Sequence, residues 1–130
     1  QMAHLRHETL RIALVDVRFR ITRSLVLTEG GVSETVAHPR DILHPVILEK
    51  AYGFILLHNH PSGDPLPSSV DRHLTDRIAC AADLLGVDFL DHIIIGRPTD
   101  RHDGYFSFRE AGLLKASSSP YSSLECQGGS

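Results

Sequence analysis

Apolar and polar positions alternate from Thr9 to Phe19 in a segment rich in β-branched side chains, and again from Ile21 to Thr28. This predicts two extended strands joined by a hairpin that turns near Arg18–Arg20. Gly30-Gly31 marks a loop, and His38-Pro39 opens a run toward Tyr52 with proline at the first helical position. A helix is predicted there, which Pro45 should kink or split. Gly53 to Leu57 is continuously apolar and bounded by punctuation, the pattern of a strand buried on both faces and placed at the centre of a sheet. Three prolines between Pro61 and Pro67 predict a stiff loop with no regular structure. Val70, Leu74, Ile78, Ala81 and Leu85 then recur at helical spacing, with Ser68 as candidate N-cap and Gly86 just past the end. Val87–Leu90 with Ile93–Ile95, and after them Tyr105–Phe108, predict two more strands, and Glu110–Lys115 a closing turn. From Ala116 the chain is rich in serine and poor in apolar residues, so residues 116–130 are expected to form a disordered tail. The order ββαβαββ predicts an α/β fold, a mixed sheet flanked by helices, in one domain over residues 5–115.

The composition fits this picture. A chain of 130 residues and 14.4 kDa is one domain's worth. With 42% hydrophobic and 22% charged residues it has the balance of a globular protein and not of a disordered one. Thirteen basic side chains against sixteen acidic ones give a net charge of −3, which argues against direct nucleic-acid binding by this domain. No apolar run approaches the ~20 residues of a membrane span, and no secretory signal pattern is present. Cys80 and Cys126 are the two cysteines and form no Cys-x-x-Cys pair, so free thiols and a cytoplasmic setting are expected.

The compositional exception is histidine, nine in all. The segment His58-Asn59-His60-Pro61-Ser62-Gly63-Asp64 concentrates them beside acids and prolines, followed by Ser68 and Asp71. His58 and His60, two apart at the end of an extended segment, leave the backbone on the same side while Asn59 points away. Asp71, in the first turn of the next helix, can fold its carboxylate back toward the strand end. Two imidazoles and a carboxylate form a three-ligand zinc site that leaves one position for water, whose pKa the metal lowers while it polarises a carbonyl. A second reading stands beside this one. Ser68-x-x-Asp71 is also a capping box, and His-Asn-His-Pro could be a polar turn. Spacing alone leaves both readings open.

His58-x-His60, seven residues, Ser68, two residues and Asp71 make the JAMM (MPN-plus) metalloprotease signature, and His-Asn-His-Pro-Ser-Gly-Asp-Pro resembles the form found in its bacterial RadC-like branch. The resemblance extends to Ala37–Asp41, Phe54–Leu57, Leu85-Gly86-Val87, Leu90–Gly96, Phe106–Phe108 and Gly112–Leu114, roughly residues 5 to 114. It implies a zinc site with His58, His60 and Asp71 as ligands on a cytidine-deaminase-like α/β fold, and cleavage of a peptide or isopeptide bond in a protein or peptide substrate. It also implies an upstream glutamate as general base and places Ser68 where it helps hold the tetrahedral intermediate. The family's glutamate opens the first core strand, which selects Glu8 over Glu29, Glu34 and Glu49.

Competing chemistries find little support. No Gly-x-Ser-x-Gly elbow, His-Glu-x-x-His helix or Pro-Cys-x-x-Cys deaminase signature occurs, and Gly30-Gly31 and Gly128-Gly129 have no phosphate-binding context. Asp91-His92 is expected to be a structural pair at a strand start. The alternatives to a hydrolase are a non-catalytic or DNA-repair-associated accessory module of the RadC family, and a metal-free scaffold, against which the intact ligand set argues. Substrate identity and oligomeric state have no readable code in the surface loops.

Overall fold

The computed structural model describes residues 7–29 and 38–114. Its elements are β1 (Thr9–Val15), β2 (Ile21–Glu29), α1 (Pro39–Leu48), β3 (Gly53–Asn59), α2 (Ser69–Leu85), β4 (Asp88–Ile95) and β5 (Tyr105–Ser107). They form one five-stranded sheet in the order β2-β1-β3-β4-β5. β1 pairs antiparallel with β2 and β3, β3 pairs parallel with β4, and β4 antiparallel with β5, so the sheet is mixed as the pattern predicted. α2 supplies the crossover that a parallel β3–β4 pair requires.

Four details depart from the sequence reading. β1 ends at Val15, not Phe19, because the Asp16 carboxylate accepts from the Arg18 and Arg20 amides (2.8 and 3.0 Å) and folds the turn around itself, with Phe19 at φ 61°. α1 stops at Leu48 instead of reaching Tyr52, since Lys50 reverses the chain at φ 53°. Pro45 neither kinks nor splits α1 into two elements: its missing N–H removes a single ladder bond, and the helix ends within a turn. Cys80, half-buried on α2, is disulfide-bonded, which corrects the expectation of free thiols there and removes a support for a reducing setting. None of the described helices is long and apolar enough to cross a membrane. The expected Gly30-Gly31 loop and the tail from residue 116 lie outside the described residues, as do residues 5, 6 and 115 of the expected domain.

Strand alternation and register determine where the site lies. Leu10, Ile12 and Leu14 of β1 pair with His58, Leu56 and Phe54 of β3, so all six share one face of the sheet. That face packs against Ile42, Leu43 and Val46 of α1 and Leu74, Ile78 and Ala82 of α2, and all of these apolar side chains are buried. His58 closes the row, a polar residue at the sheet-end limit of an apolar core.

Candidate metal centre

His58 is 2% exposed, because its strand is central and Leu10 and Ile94 flank it. His60 continues the same alternation one step beyond the strand, where its amide still bonds the Ile95 carbonyl (2.9 Å). The two rings lie edge to face with centroids 4.9 Å apart.

Asp71 reaches them from the first turn of α2. Its amide donates to Ser68 Oγ (3.1 Å) and its Oδ2 accepts from the Ser68 amide (2.8 Å), a complete capping box. The box and the ligand-like placement coexist. With the carboxylate bent back over the helix start, Oδ2 lies 3.1 Å from His60 Nε2 and Oδ1 lies 3.2 Å from His58 Nδ1. One nitrogen or oxygen from each of His58, His60 and Asp71 falls within 4.8 Å of the others.

Tautomers sharpen the chemistry. His60 Nδ1 donates to the Asp64 carbonyl (2.9 Å), which leaves Nε2 of the neutral ring as a lone-pair donor facing the cluster. Contact with Asp71 raises the His60 pKa above its ordinary range, against burial, which lowers it. Burial pushes the Asp71 carboxyl up, but the contacts from His58, His60 and the Ser68 amide outweigh it and hold the group well below the usual carboxylate range. His58 Nδ1 is buried without a hydrogen-bond partner among the described residues, although a carboxylate oxygen stands beside it. A buried orphan nitrogen, a second imidazole nitrogen and an ionised carboxylate at this spacing fit a divalent metal ion.

Glu8 comes to the same place from the start of β1. Its Oε2 lies 3.2 Å from His58 Nε2, and a third of its side chain remains exposed. Of the other acids weighed from sequence, Glu49 pairs with Arg23 (2.5 Å), Glu29 is exposed at the end of edge strand β2, in register with Thr9 but on the side of β1 away from β3, and Glu34 lies outside the described residues. Asp91 is structural as expected: it accepts from the amides of His92 (2.7 Å) and Arg109 (3.0 Å) and from the Ser107 hydroxyl.

Thr75 escapes a reading of the sequence, and His92, expected there as a structural residue, proves to support the site through it. Thr75 is fully buried; its hydroxyl donates to the Asp71 carbonyl (2.7 Å) and accepts from His92 Nδ1 (2.6 Å). His92 stacks on Phe108 with centroids 4.7 Å apart and lies 6.0 Å from the His58 ring. The only sequence signal for Thr75 was its place four residues after Asp71 on the same helix face. Farther out, Arg97 Nη2 donates to the carbonyls of Pro61 (3.3 Å) and Ser62 (3.1 Å), fastening the proline loop between His60 and Ser68.

Comparison with known proteins agrees with this geometry. Residues 1–113 match the family model of the RadC-like JAB domain. Similar proteins include a UPF0758 protein of Trichlorobacter lovleyi, 46% identical over 110 residues that are 84% of this chain and 45% of the relative. A UPF0758 protein of Thermotoga maritima is 40% identical over 114 residues, 88% of this chain and 49% of the relative. The chain thus spans less than half the length of these curated relatives. With its fold, its His-His-Asp group and a family match over nearly its whole described length, the chain belongs to the RadC-like JAB domain family.

Proposed function

We propose that this domain is a zinc-dependent hydrolase that cleaves an amide bond, peptide or isopeptide, in a protein or peptide substrate. The observation that carries the reading is Glu8, a carboxylate side chain one-third exposed and held 3.2 Å from His58 at the rim of the His58–His60–Asp71 group. An N,N,O donor set suits zinc, with histidines and one carboxylate supplied by the protein. Bound there, zinc supplies Lewis acidity, lowering the pKa of water and polarising a carbonyl.

The chain's own residues do the rest. Glu8 is held through the backbone groups on either side of it and keeps a third of its side chain exposed, so it accepts a proton from water and returns it to the leaving amine. The Ser68 hydroxyl already accepts from the Asp71 amide, which leaves its hydrogen to stabilise a developing oxyanion. His60 is oriented by the Asp64 carbonyl, Asp71 by the capping box and His58 by its burial on β3 and its contact with Glu8, so the three donors are held before any metal binds.

The test is a fluorogenic peptide library and an isopeptide-linked conjugate offered to the zinc-loaded chain, with and without chelator, beside Glu8→Gln. Cleavage that chelation abolishes, and that Glu8→Gln lowers by ~10²-fold with zinc still bound, is the expected result. Cleavage indifferent to chelation, or none with zinc bound, overturns the reading.

A further inference from the structure

Asn59 stands between the two candidate ligand histidines in sequence but points to the opposite face of β3. It is 1% exposed. Its Oδ1 accepts from the Thr9 amide (2.7 Å) and the Thr9 hydroxyl (2.8 Å), and its Nδ2 donates to the His7 carbonyl (3.0 Å). This orientation of the amide follows from its partners, since the Thr9 N–H can only donate and the His7 carbonyl only accept.

The backbone pairing of β1 with β3 reaches Leu10↔His58 at this end of the sheet. Beyond it, the Asn59 side chain takes over the ladder's role for one more step. The two main-chain groups that it holds, the His7 carbonyl and the Thr9 amide, flank Glu8 on either side. With Thr9 fixed toward the Asn59 face, strand alternation sends the Glu8 side chain to the other face, where it meets His58 at 3.2 Å. One amide therefore ties the strand that carries His58 and His60 to the segment that carries Glu8.

We propose that Asn59 is a positioning residue for hydrolysis, holding the chain on both sides of Glu8 so that its carboxylate stays against the metal group. This rests on Glu8 being the base of the reaction proposed above. Neighbouring residue types do not substitute. Aspartate keeps the acceptor for Thr9 but sets a carboxylate oxygen against the His7 carbonyl, serine and alanine are too short to reach either group, and glutamine carries an extra methylene into a filled space.

The experiment compares the parent chain with Asn59→Ala, Asn59→Asp and, as a control that loses only the hydroxyl contact, Thr9→Val. Each is also made in the Glu8→Gln background. Three quantities are read: zinc per chain, hydrogen exchange at the Thr9 amide, and kcat and KM on a peptide that the parent cleaves. Asn59→Ala is expected to keep its zinc and to exchange the Thr9 amide roughly 10-fold faster or more. Its kcat should fall about 10- to 100-fold with KM little changed, because a base displaced by ~1 Å costs rate and not binding. In the Glu8→Gln background the same change should cost nothing further, since both variants disable one group. Should Asn59→Ala fail to fold, the isosteric Asn59→Asp is read in the same way.

Unchanged Thr9 exchange, or an undiminished loss of kcat in the Glu8→Gln background, overturns the proposal while leaving the hydrolase reading intact. Full turnover in zinc-loaded Glu8→Gln removes Glu8 as base and Asn59's part in catalysis with it. Accelerated Thr9 exchange in that case shows that the clamp exists without a catalytic use.

Discussion

His58 Nδ1 stands 3.2 Å from Asp71 Oδ1, with side-chain exposures of 2% and 4%. Burying a carboxylate against an imidazole nitrogen that makes no hydrogen bond is costly unless positive charge joins them. The pair is tolerated because the capping box and His60 already hold Asp71, and a cation bound at this point would satisfy the nitrogen that the fold leaves open.

Metal content follows directly. We expect about one equivalent of zinc per chain by elemental analysis, strongly reduced in His58→Ala, His60→Ala and Asp71→Ala, since each removes one of three protein ligands. Chelation should leave the far-UV circular dichroism of the parent largely unchanged, because the apolar core closes without the ion. Full zinc retention in all three variants refutes the site.

Ser68 links helix stability to the metal. Ser68→Ala removes the acceptor of the Asp71 amide and should cost ~1 kcal/mol in urea denaturation. It should also weaken zinc binding in a competition titration, because half of the box that aims Asp71 is gone. Ser68→Asn, a strong cap, should recover most of the stability. Unaltered stability in Ser68→Ala would show that the box is dispensable.

Acid stability reports on His92. Burial, with the His58 ring beside it, pushes the His92 imidazole down to about 3, whereas an unfolded histidine titrates at ~6.5. Between those values the unfolded chain binds more protons, so stability falls as pH drops from about 6.5 toward 3. Asp71, lowered in the fold, acts in the same direction at the acid end, while His60, raised in the fold, gives stability that is lost as pH rises through its folded value. His92→Phe should isolate the first effect: measured on chelated protein, its deficit against the parent at pH 7 should shrink as pH approaches 4. A deficit independent of pH contradicts a neutral buried His92.

Gly96 is where the proline loop meets β4. A Cβ there would lie 2.2 Å from the Gly63 carbonyl oxygen, so Gly96→Ala should push the loop off Arg97 and destabilise the chain by ~1–3 kcal/mol. Gly112→Ala offers a comparison in which a Cβ meets nothing but the left-handed φ of 75° is strained. The measurement is the denaturation midpoint together with zinc affinity, and only Gly96→Ala should lose both.

Much of this was written locally in the chain. The period-two pattern put His58 and His60 on one side, Ser68-x-x-Asp71 spelled a capping box, Gly86 ended α2 in a left-handed turn, and the order of elements came out of apolar runs and their punctuation. These features depend on backbone geometry over a few residues, and so a linear reading reaches them. The tertiary structure decided what lies across the sheet. Glu8 meets His58, and Asn59 grips Thr9, across 50 positions of sequence, through an antiparallel register of β1 on β3 that a slip of one residue would have turned inside out. The early end of β1 at Asp16, the uninterrupted helix through Pro45 and the Thr75–His92 support of Asp71 likewise depend on side chains and packing partners that the pattern does not encode. The donors of the site are local facts, while the Glu8 carboxylate beside them follows from strand pairing, because register is selected by burial of the whole apolar face and not by any segment alone.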